Sequence, residues 1–147
     1  MRVEQYSDRY FLDVVKLVEN FHKETLGKYD SDLDPAALIE TIRRESYDSR
    51  NVFLLILGNR CEGILAGHEF KSMINHTKIF QEYIWYTNKP FGKYGIRLIK
   101  EVQKILKSRG VNAIILSILE APISVKLKRI YNRLGYKHLE THFVRAL

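Results

Sequence analysis

The chain has 147 residues, enough for one domain with its own hydrophobic core, and 46% of them are apolar. No apolar stretch approaches the roughly 20 residues that span a bilayer, and the first residues lack the apolar segment of a signal peptide. A single cysteine, Cys61, excludes an internal disulfide framework and fits a reducing compartment. We therefore expect one domain, residues 1–147, in the cytoplasm and away from membranes.

The net charge of +7 is concentrated in the C-terminal part of the chain. Residues 1–87 hold 11 Lys/Arg against 14 Asp/Glu, a net charge of −3, and residues 88–147 hold 13 against 3, a net charge of +10. A basic half of this kind favours an anionic partner, such as a phosphorylated cofactor, nucleic acid or an acidic surface. A basic face that is merely solvated explains the same composition.

Hydrophobic periodicity predicts strands and helices with no repeat and no linker. The predicted strands are apolar or alternating runs at residues 2–6, 52–57, 61–70, 79–87, 113–119 and 136–144. The predicted helices each carry one apolar stripe, at residues 11–21, 35–47, 96–108 and 123–134. Asp34-Pro35 is a typical helix start, and Gly110 is a typical C-terminal stop. The order β-α-α-β-β-β-α-β-α-β indicates an α/β domain with a mixed sheet.

The loop after the fourth predicted strand contains Gly92 and Gly95 and leads directly into the third helix. The start of a helix presents unpaired backbone N–H groups and a partial positive charge, so it can bind a phosphate. Glycine there allows a ligand to approach the backbone closely, or allows a positive φ. A purely structural turn explains the glycines as well. The change of charge at residue 88 favours the phosphate.

This order of elements, with this loop after the fourth strand, resembles the GNAT superfamily of acetyl-CoA-dependent N-acetyltransferases. The family's phosphate loop is Arg/Gln-x-x-Gly-x-Gly/Ala. With Gly95 at its last position, Lys93 replaces the first glycine and Pro90 replaces the Arg/Gln. The segment 131–136 is similar to the family's Tyr-x-x-x-Gly-Phe/Tyr element, and the ending 139–143 looks most like small phage-encoded members. The resemblance implies a GNAT-like single domain, with a mixed central sheet of six to seven strands and about four helices.

The resemblance implies acetyl-CoA as cosubstrate. Backbone N–H groups of the loop would bind the pyrophosphate, and Lys89, Lys93 and Arg97 would replace the contacts that the altered motif lacks. The residues that the resemblance assigns to the cofactor are Trp85, Tyr86, Thr87, Lys89, Gly92, Lys93, Tyr94, Gly95, Ile96 and Arg97. Ser117, on the opposite strand, is a weaker candidate. The alternative is a loop that has lost cofactor binding.

In this family the acceptor amine attacks the thioester directly, so the amine must lose a proton and the departing thiolate must gain one. Tyr131 matches the family's tyrosine and is the candidate general acid, since tyrosine hydroxyls stay protonated near neutral pH. Glu82 is the candidate base, on a strand face that we expect it to share with Phe80, Ile84 and Tyr86. Its rival is Glu69, acting directly or through water. A core tyrosine and exposed carboxylates are the structural alternatives.

No metal is expected. Asp30, Asp32 and Asp34 are spaced like ligands of a calcium loop, but Pro35 stands where glycine is needed and Thr41 where glutamate is needed. His138 and His142 fall in a predicted strand, which lacks the geometry that a helix gives to such a pair.

Residues 21–35 form one wall of the acceptor site in this family, and here they include Glu24, Asp30 and Asp32. Acidic residues suit a cationic amine such as a protein lysine, a polyamine or an aminated sugar. Two basic stripes also predict contact with nucleic acid or a nucleic-acid-bound acceptor: Arg97, Lys100, Lys104, Lys107 and Lys126, Arg129, Arg133. The competing interpretation is a non-enzymatic GNAT-fold module that binds nucleic acid or protein. The sequence is compatible with a homodimer but does not indicate an oligomeric state.

Overall fold

The computed structural model describes residues 1–26, 34–48, 50–119 and 123–142. Two compact units are distinguished, Met1–Ser117 and Ile118–Leu147. The strands all belong to the first unit and are β1 (Arg2–Gln5), β2 (Val52–Leu57), β3 (Arg60–Lys71), β4 (Lys78–Thr87) and β5 (Ala113–Ile115). The helices of that unit are α1 (Phe11–Phe21), α2 (Pro35–Asp48) and α3 (Gly95–Ser108). Single turns precede or follow them: 3-10 turns at Asp8–Tyr10 and Phe91–Tyr94, and a π-turn at His22–Leu26. The second unit contains α4 (Ser124–Arg133).

The strands form one mixed sheet in the order β1-β2-β3-β4-β5. Strands β1 to β4 pair antiparallel, whereas β5 pairs parallel with β4. A tight turn can join antiparallel neighbours, and at Gly58 the backbone takes the positive φ that such a turn requires. A parallel neighbour needs a longer crossover connection, which α3 provides between β4 and β5.

Helices cover both faces of this sheet. The stripe of α1 that faces the sheet consists of residues at helical spacing, namely Val14, Leu17, Val18 and Phe21. It packs with alternate residues of β2, including Val52 and Leu54. On the opposite face Phe53 meets Phe80, with 6.3 Å between ring centroids. The α3 side chains buried on this second face are Leu98, Ile99, Val102 and Leu106. Each such side chain contributes roughly 1.5–3 kcal/mol when it is fully buried.

Two predicted helix boundaries are confirmed by their local geometry. Asp34 caps α2, because its Oδ1 accepts the Ala36 N–H at 2.8 Å and the helix begins at Pro35. Gly110 follows the end of α3 with φ +77, the left-handed conformation that ends many helices.

The predicted six to seven strands and the predicted element order are wrong for the described part of the chain, which has five strands and ends in α4. Residues 136–142 form no strand. Their apolar members are Tyr136 and Leu139, three residues apart, and Leu139 is exposed, so no alternating face exists for a sheet to bury. The strand predicted at 113–119 stops at Ile115. Beyond it, the Ser117 N–H donates to the Glu82 side chain of β4 instead of to a backbone carbonyl.

A β-bulge interrupts β4 where it pairs with β3. Ala66 faces Ile84 while the next residue, Gly67, faces Glu82, so Tyr83 is the extra residue on β4. Gly67 permits this arrangement: a Cβ there would lie 2.2 Å from the Gln81 carbonyl oxygen. The bulge therefore depends on a residue without a side chain on the neighbouring strand.

Because of the bulge, the prediction of which residues share a face with Glu82 is partly wrong. Glu82 shares a face with Phe80, two residues before it, as predicted. Ile84 and Tyr86 instead belong to the face covered by α1 and α2, where they pack with the core around Val14 and Leu17. The extra residue shifts the alternation by one position, which turns every later side chain of β4 to the opposite face.

We predict that Gly67→Ala destabilises the protein by about 1–3 kcal/mol, because the new methyl group must displace the β4 backbone. The measurement is the free energy of unfolding from denaturant titration. Gly92→Ala is the matched control, since the nearest atom to its added Cβ is Thr87 Oγ1 at 3.9 Å. Equal stability of the two variants would contradict this account of the bulge.

Candidate active site

The candidate site begins where β4 and β5 separate. Their parallel ladder covers only three pairs, from Ile79 with Ala113 to Gln81 with Ile115. The next side chain of β4, Glu82, crosses the gap, and its Oε2 accepts the Ser117 N–H at 2.8 Å. A side-chain oxygen thus takes the N–H that would otherwise seek a backbone carbonyl. From Glu82 to Thr87, no ladder with β5 covers this edge of β4 in the described part of the chain.

Burial controls the protonation of Glu82, whose surface is only 9% exposed. Loss of solvation raises its pKa from the ordinary 4.5 to about 7, and the hydrogen bond from Ser117 offsets part of this rise. A carboxyl group with this pKa exchanges its proton at neutral pH. That is the property required of a general base.

We predict that ionisation of Glu82 makes the folded state less stable as pH rises from about 4.5 to 7. In this range the folded protein keeps a proton that the unfolded chain releases, so the free energy of unfolding falls as pH rises. Above about pH 7 both states have lost the proton, and this contribution no longer changes with pH. Relative to Glu82→Gln, the wild type should lose about 3 kcal/mol between pH 4.5 and 8. Unfolding of both proteins across this range measures the difference, and parallel pH profiles would contradict the raised pKa.

The start of α3 places the predicted phosphate loop beside the end of β4. Gly95 lies against Trp85, and a Cβ on Gly95 would be 3.2 Å from the Trp85 ring. The predicted close approach at Gly95 is therefore to an indole ring. Gly92 is exposed with open space above it, so its backbone is accessible to a ligand. Both glycines have ordinary φ values, and the glycines of positive φ in the described chain are Gly58, Gly110 and Gly135.

The three predicted phosphate-binding cations have different surroundings. Lys93 and Arg97 are exposed, Lys93 in the 3-10 turn before α3 and Arg97 in the first turn of α3. The Lys93 ammonium is 5.1 Å from the centre of the Tyr94 ring. Lys89 forms an ion pair with Glu24, at 3.2 Å between Nζ and Oε2. Glu24 in turn accepts the Tyr86 hydroxyl at 3.2 Å. The structure thus brings together a residue of the predicted acceptor wall and residues of the predicted cofactor loop.

Asn88 anchors the loop, and sequence reasoning missed it. Its backbone N–H donates to the Glu62 carbonyl and its Nδ2 to the Glu62 carboxylate, both at 2.9 Å. Its Oδ1 accepts the Asn20 side chain from α1 at 3.0 Å. The signal available in the sequence was an asparagine directly before the loop, a residue type that fixes turns by side-chain bonds. Its partners are distant in sequence and gave no such signal.

Tyr131 lies on α4 in the second unit and is buried, with its ring centroid 5.6 Å from that of Tyr136. The Tyr136 N–H donates to the Tyr131 carbonyl at the end of the helix. The predicted Tyr-x-x-x-Gly-Tyr element therefore forms a compact helix end, with Gly135 at φ +87. Its role as general acid stays a prediction.

The remaining candidates of the sequence have structural partners. Glu69, the rival base, is held by Lys78 at 2.6 Å and Arg109 at 3.6 Å. Cys61 is a buried residue of β3, and burial raises the pKa of its thiol to about 12. Within residues 1–26, 34–48, 50–119 and 123–142, no three His, Cys, Asp or Glu side chains are grouped as a metal site. Asp30 and Asp32 lie outside the described residues.

No helix in the described chain is both long and apolar enough to span a bilayer.

Comparison with known proteins identifies the fold. No protein-family model and no curated protein matches the sequence. Among solved structures, a GNAT family acetyltransferase of Staphylococcus aureus matches with a TM-score of 0.71 and 17% identity, over 99% of this chain and 98% of that one. The chain has the GNAT fold. An aminoglycoside acetyltransferase from an uncultured soil metagenomic sample matches with a TM-score of 0.74 and 15% identity, over 99% and 95% of the two chains. A ribosomal-protein-alanine N-acetyltransferase of Brucella melitensis gives 0.74 and 10%, over the full length of both.

The predicted GNAT architecture is thereby confirmed at the level of the fold. At these identities the comparison does not extend to the acceptor, and the likeness to phage-encoded members stays a prediction.

Proposed function

We propose that this protein is an acetyl-CoA-dependent N-acetyltransferase, formed by residues 1–147 as one GNAT-type domain, that moves an acetyl group directly to a primary amine. The observation that carries the proposal is the separation of β4 from β5, where the buried Glu82 carboxylate accepts the Ser117 N–H and burial raises its pKa to about 7. The GNAT fold, shared with solved acetyltransferases, supports it.

The described residues fit acetyl-CoA. The exposed cation Lys93 precedes the 14-residue helix α3, and a second exposed cation, Arg97, lies in its first turn, where the positive end of the helix dipole favours an anion. Gly92 leaves its backbone open to a phosphate. Trp85, Tyr86 and Thr87 lie on β4 beyond its ladder with β5, and their backbone groups would contact the pantetheine arm. When bound, the cosubstrate supplies the activated acetyl thioester.

Two residues of the chain would then each transfer one proton. Glu82 takes the proton that the amine nitrogen loses as its bond to the acetyl carbon forms. Tyr131 gives its hydroxyl proton to the sulfur as the carbon–sulfur bond breaks. Ser117 keeps the Glu82 carboxylate in place through its backbone N–H. Each proton transfer of this kind is worth roughly 10²- to 10⁴-fold in rate.

We predict that acetyl-CoA binds and that Lys93→Gln/Arg97→Gln weakens binding about ten-fold or more, because charge-assisted contacts to phosphate are lost. Calorimetric titration measures the dissociation constants. Lys100→Gln/Lys107→Gln is the control: it removes the same charge from exposed positions of α3 beyond the first turn, where the field of the helix N-terminus has decayed. It should stay within about two-fold of the wild type.

Absence of acetyl-CoA binding at high micromolar concentration would defeat the enzyme proposal. Retention on heparin that collapses at modest salt, in that same case, would favour the alternative, a GNAT-fold module that binds nucleic acid. Both basic stripes predicted for that alternative are exposed: Arg97, Lys100, Lys104 and Lys107 on α3, and Lys126, Arg129 and Arg133 on α4.

We predict that kcat rises with pH to a plateau with an apparent pKa of about 7, as Glu82 loses its proton. Glu82→Gln should lower kcat about 10²- to 10⁴-fold and remove this dependence. Thiol release with a panel of amines, at saturating acetyl-CoA, gives the profile. An unchanged pH profile in Glu82→Gln would mean that water or another residue is the base. Tyr131→Phe should lower kcat but keep the rise of kcat near pH 7.

A further inference from the structure

Asn88 lies where β4 ends and the cofactor loop, residues 88–94, begins, and its backbone and side-chain polar groups all have partners. Its backbone N–H and its Nδ2 donate to the Glu62 carbonyl and carboxylate, both at 2.9 Å. Its Oδ1 accepts a hydrogen bond from Asn20 Nδ2 at 3.0 Å, and its carbonyl accepts the Phe91 N–H at 2.7 Å. One residue therefore ties the loop to β3 and α1 and closes the first turn of the loop.

The surroundings of Glu62 make this attachment firm. Glu62 is only 6% exposed, and a buried charge without hydrogen-bond partners costs a large free energy. Loss of the Asn88 amide would remove a donor from this carboxylate. The next residue of β3, Gly63, pairs with Thr87, and a Cβ on Gly63 would lie 2.8 Å from Thr87 Cγ2. The two strands are therefore in close contact directly before the loop.

The far end of the cofactor loop is held by a different contact. There Gly95 lies against the Trp85 ring, which a Cβ on Gly95 would approach to 3.2 Å. Between these two fixed ends, Gly92 and Lys93 are exposed. Contacts within the chain, made at both ends of the loop, thus set the conformation of its exposed middle.

We propose that Asn88 is a positioning residue that holds the cofactor loop in its phosphate-binding conformation, so that acetyl-CoA does not have to order the loop when it binds. The proposal rests on the proposed function, because it requires that this loop bind the cofactor. A ligand that must order a loop loses part of its binding free energy, and a preformed loop avoids that loss. Asn88 acts on cofactor affinity through the loop, whereas Glu82 is held separately by Ser117.

A second asparagine provides a matched control at the opposite end of β4. The Asn112 N–H donates to the Lys78 carbonyl at 2.8 Å, and its Oδ1 accepts the Lys78 N–H at 2.9 Å. Strand β4 has 10 residues, so this end is roughly 30 Å from the loop at about 3.3 Å per residue. Asn112→Ala therefore removes the same kind of side-chain contact at a strand end, far from the cofactor loop.

Calorimetric titration with acetyl-CoA, and kcat and KM for acetyl-CoA, test the proposal. We expect Asn88→Ala to raise the dissociation constant and KM about ten-fold, because two side-chain hydrogen bonds that hold the loop are lost. The value of kcat at saturating acetyl-CoA should stay within about three-fold of the wild type. Asn112→Ala should change the dissociation constant by less than about two-fold, even if it lowers the free energy of unfolding as much as Asn88→Ala does.

Exchange of the amide and the carboxylate tests the hydrogen bond itself. Asn88→Asp places two carboxylates against each other and should weaken acetyl-CoA binding more than Asn88→Ala does. Glu62→Gln/Asn88→Asp restores one donor facing one acceptor, leaves an acceptor for Asn20, and has the same net charge as the wild type. We expect its dissociation constant to lie within about three-fold of the wild type. This pair of variants decides the question even if Asn88→Ala does not fold.

The outcomes separate this role from the proposed function. A wild type that does not bind acetyl-CoA would overturn the proposed function and this role with it. If the wild type binds, equal dissociation constants for Asn88→Ala and Asn112→Ala would overturn the positioning role alone. A double variant that binds no better than Asn88→Asp would do the same.

Discussion

The site depends on a conflict between the two neighbours of β4. On one side β3 pairs antiparallel with β4 and accommodates one extra residue, Tyr83, opposite the bare backbone of Gly67. On the other side β5 pairs parallel for three residues and then diverges. Ser117 is an exposed residue, and its N–H donates to the buried Glu82 carboxylate. This side-chain contact joins the two strands where their ladder has ended.

The same bulge distributes the later residues of β4 between the two faces of the sheet. Trp85 meets Gly95 at the start of α3. Tyr86 lies on the face of α1, where its ring packs on Phe21 and its hydroxyl donates to Glu24. Without the extra residue this alternation would be reversed. One irregularity in one strand therefore decides which of these side chains meets α3 and which meets α1.

Glu82 combines a structural and a chemical role that oppose each other. Burial makes its carboxyl group basic enough to exchange a proton near neutral pH, and the same burial makes its charged form costly to the fold. The hydrogen bond from Ser117 moderates both effects. Proteins commonly give up stability in this way at a reactive site. By contrast, the rival Glu69 has two cationic partners, which stabilise its charge and engage it in the packing of β3 on β4.

Local patterns in the sequence determined the succession of strands and helices from β1 to α4, the start of α2 at Asp34-Pro35, the stop at Gly110 and the glycine-containing loop before α3. These features follow from interactions within a few residues, which composition and spacing record. Glu82 was found because an acidic residue in an apolar strand stands out.

Tertiary structure alone decided the bulge, the short β5, the lack of a strand at 136–142 and the contacts of Asn88 and Glu24. Each depends on a partner distant in sequence: Gly67 opposite Tyr83, Ser117 beside Glu82, and Lys89 across from Glu24. Register and side-chain pairing of this kind arise only when the strands and helices meet.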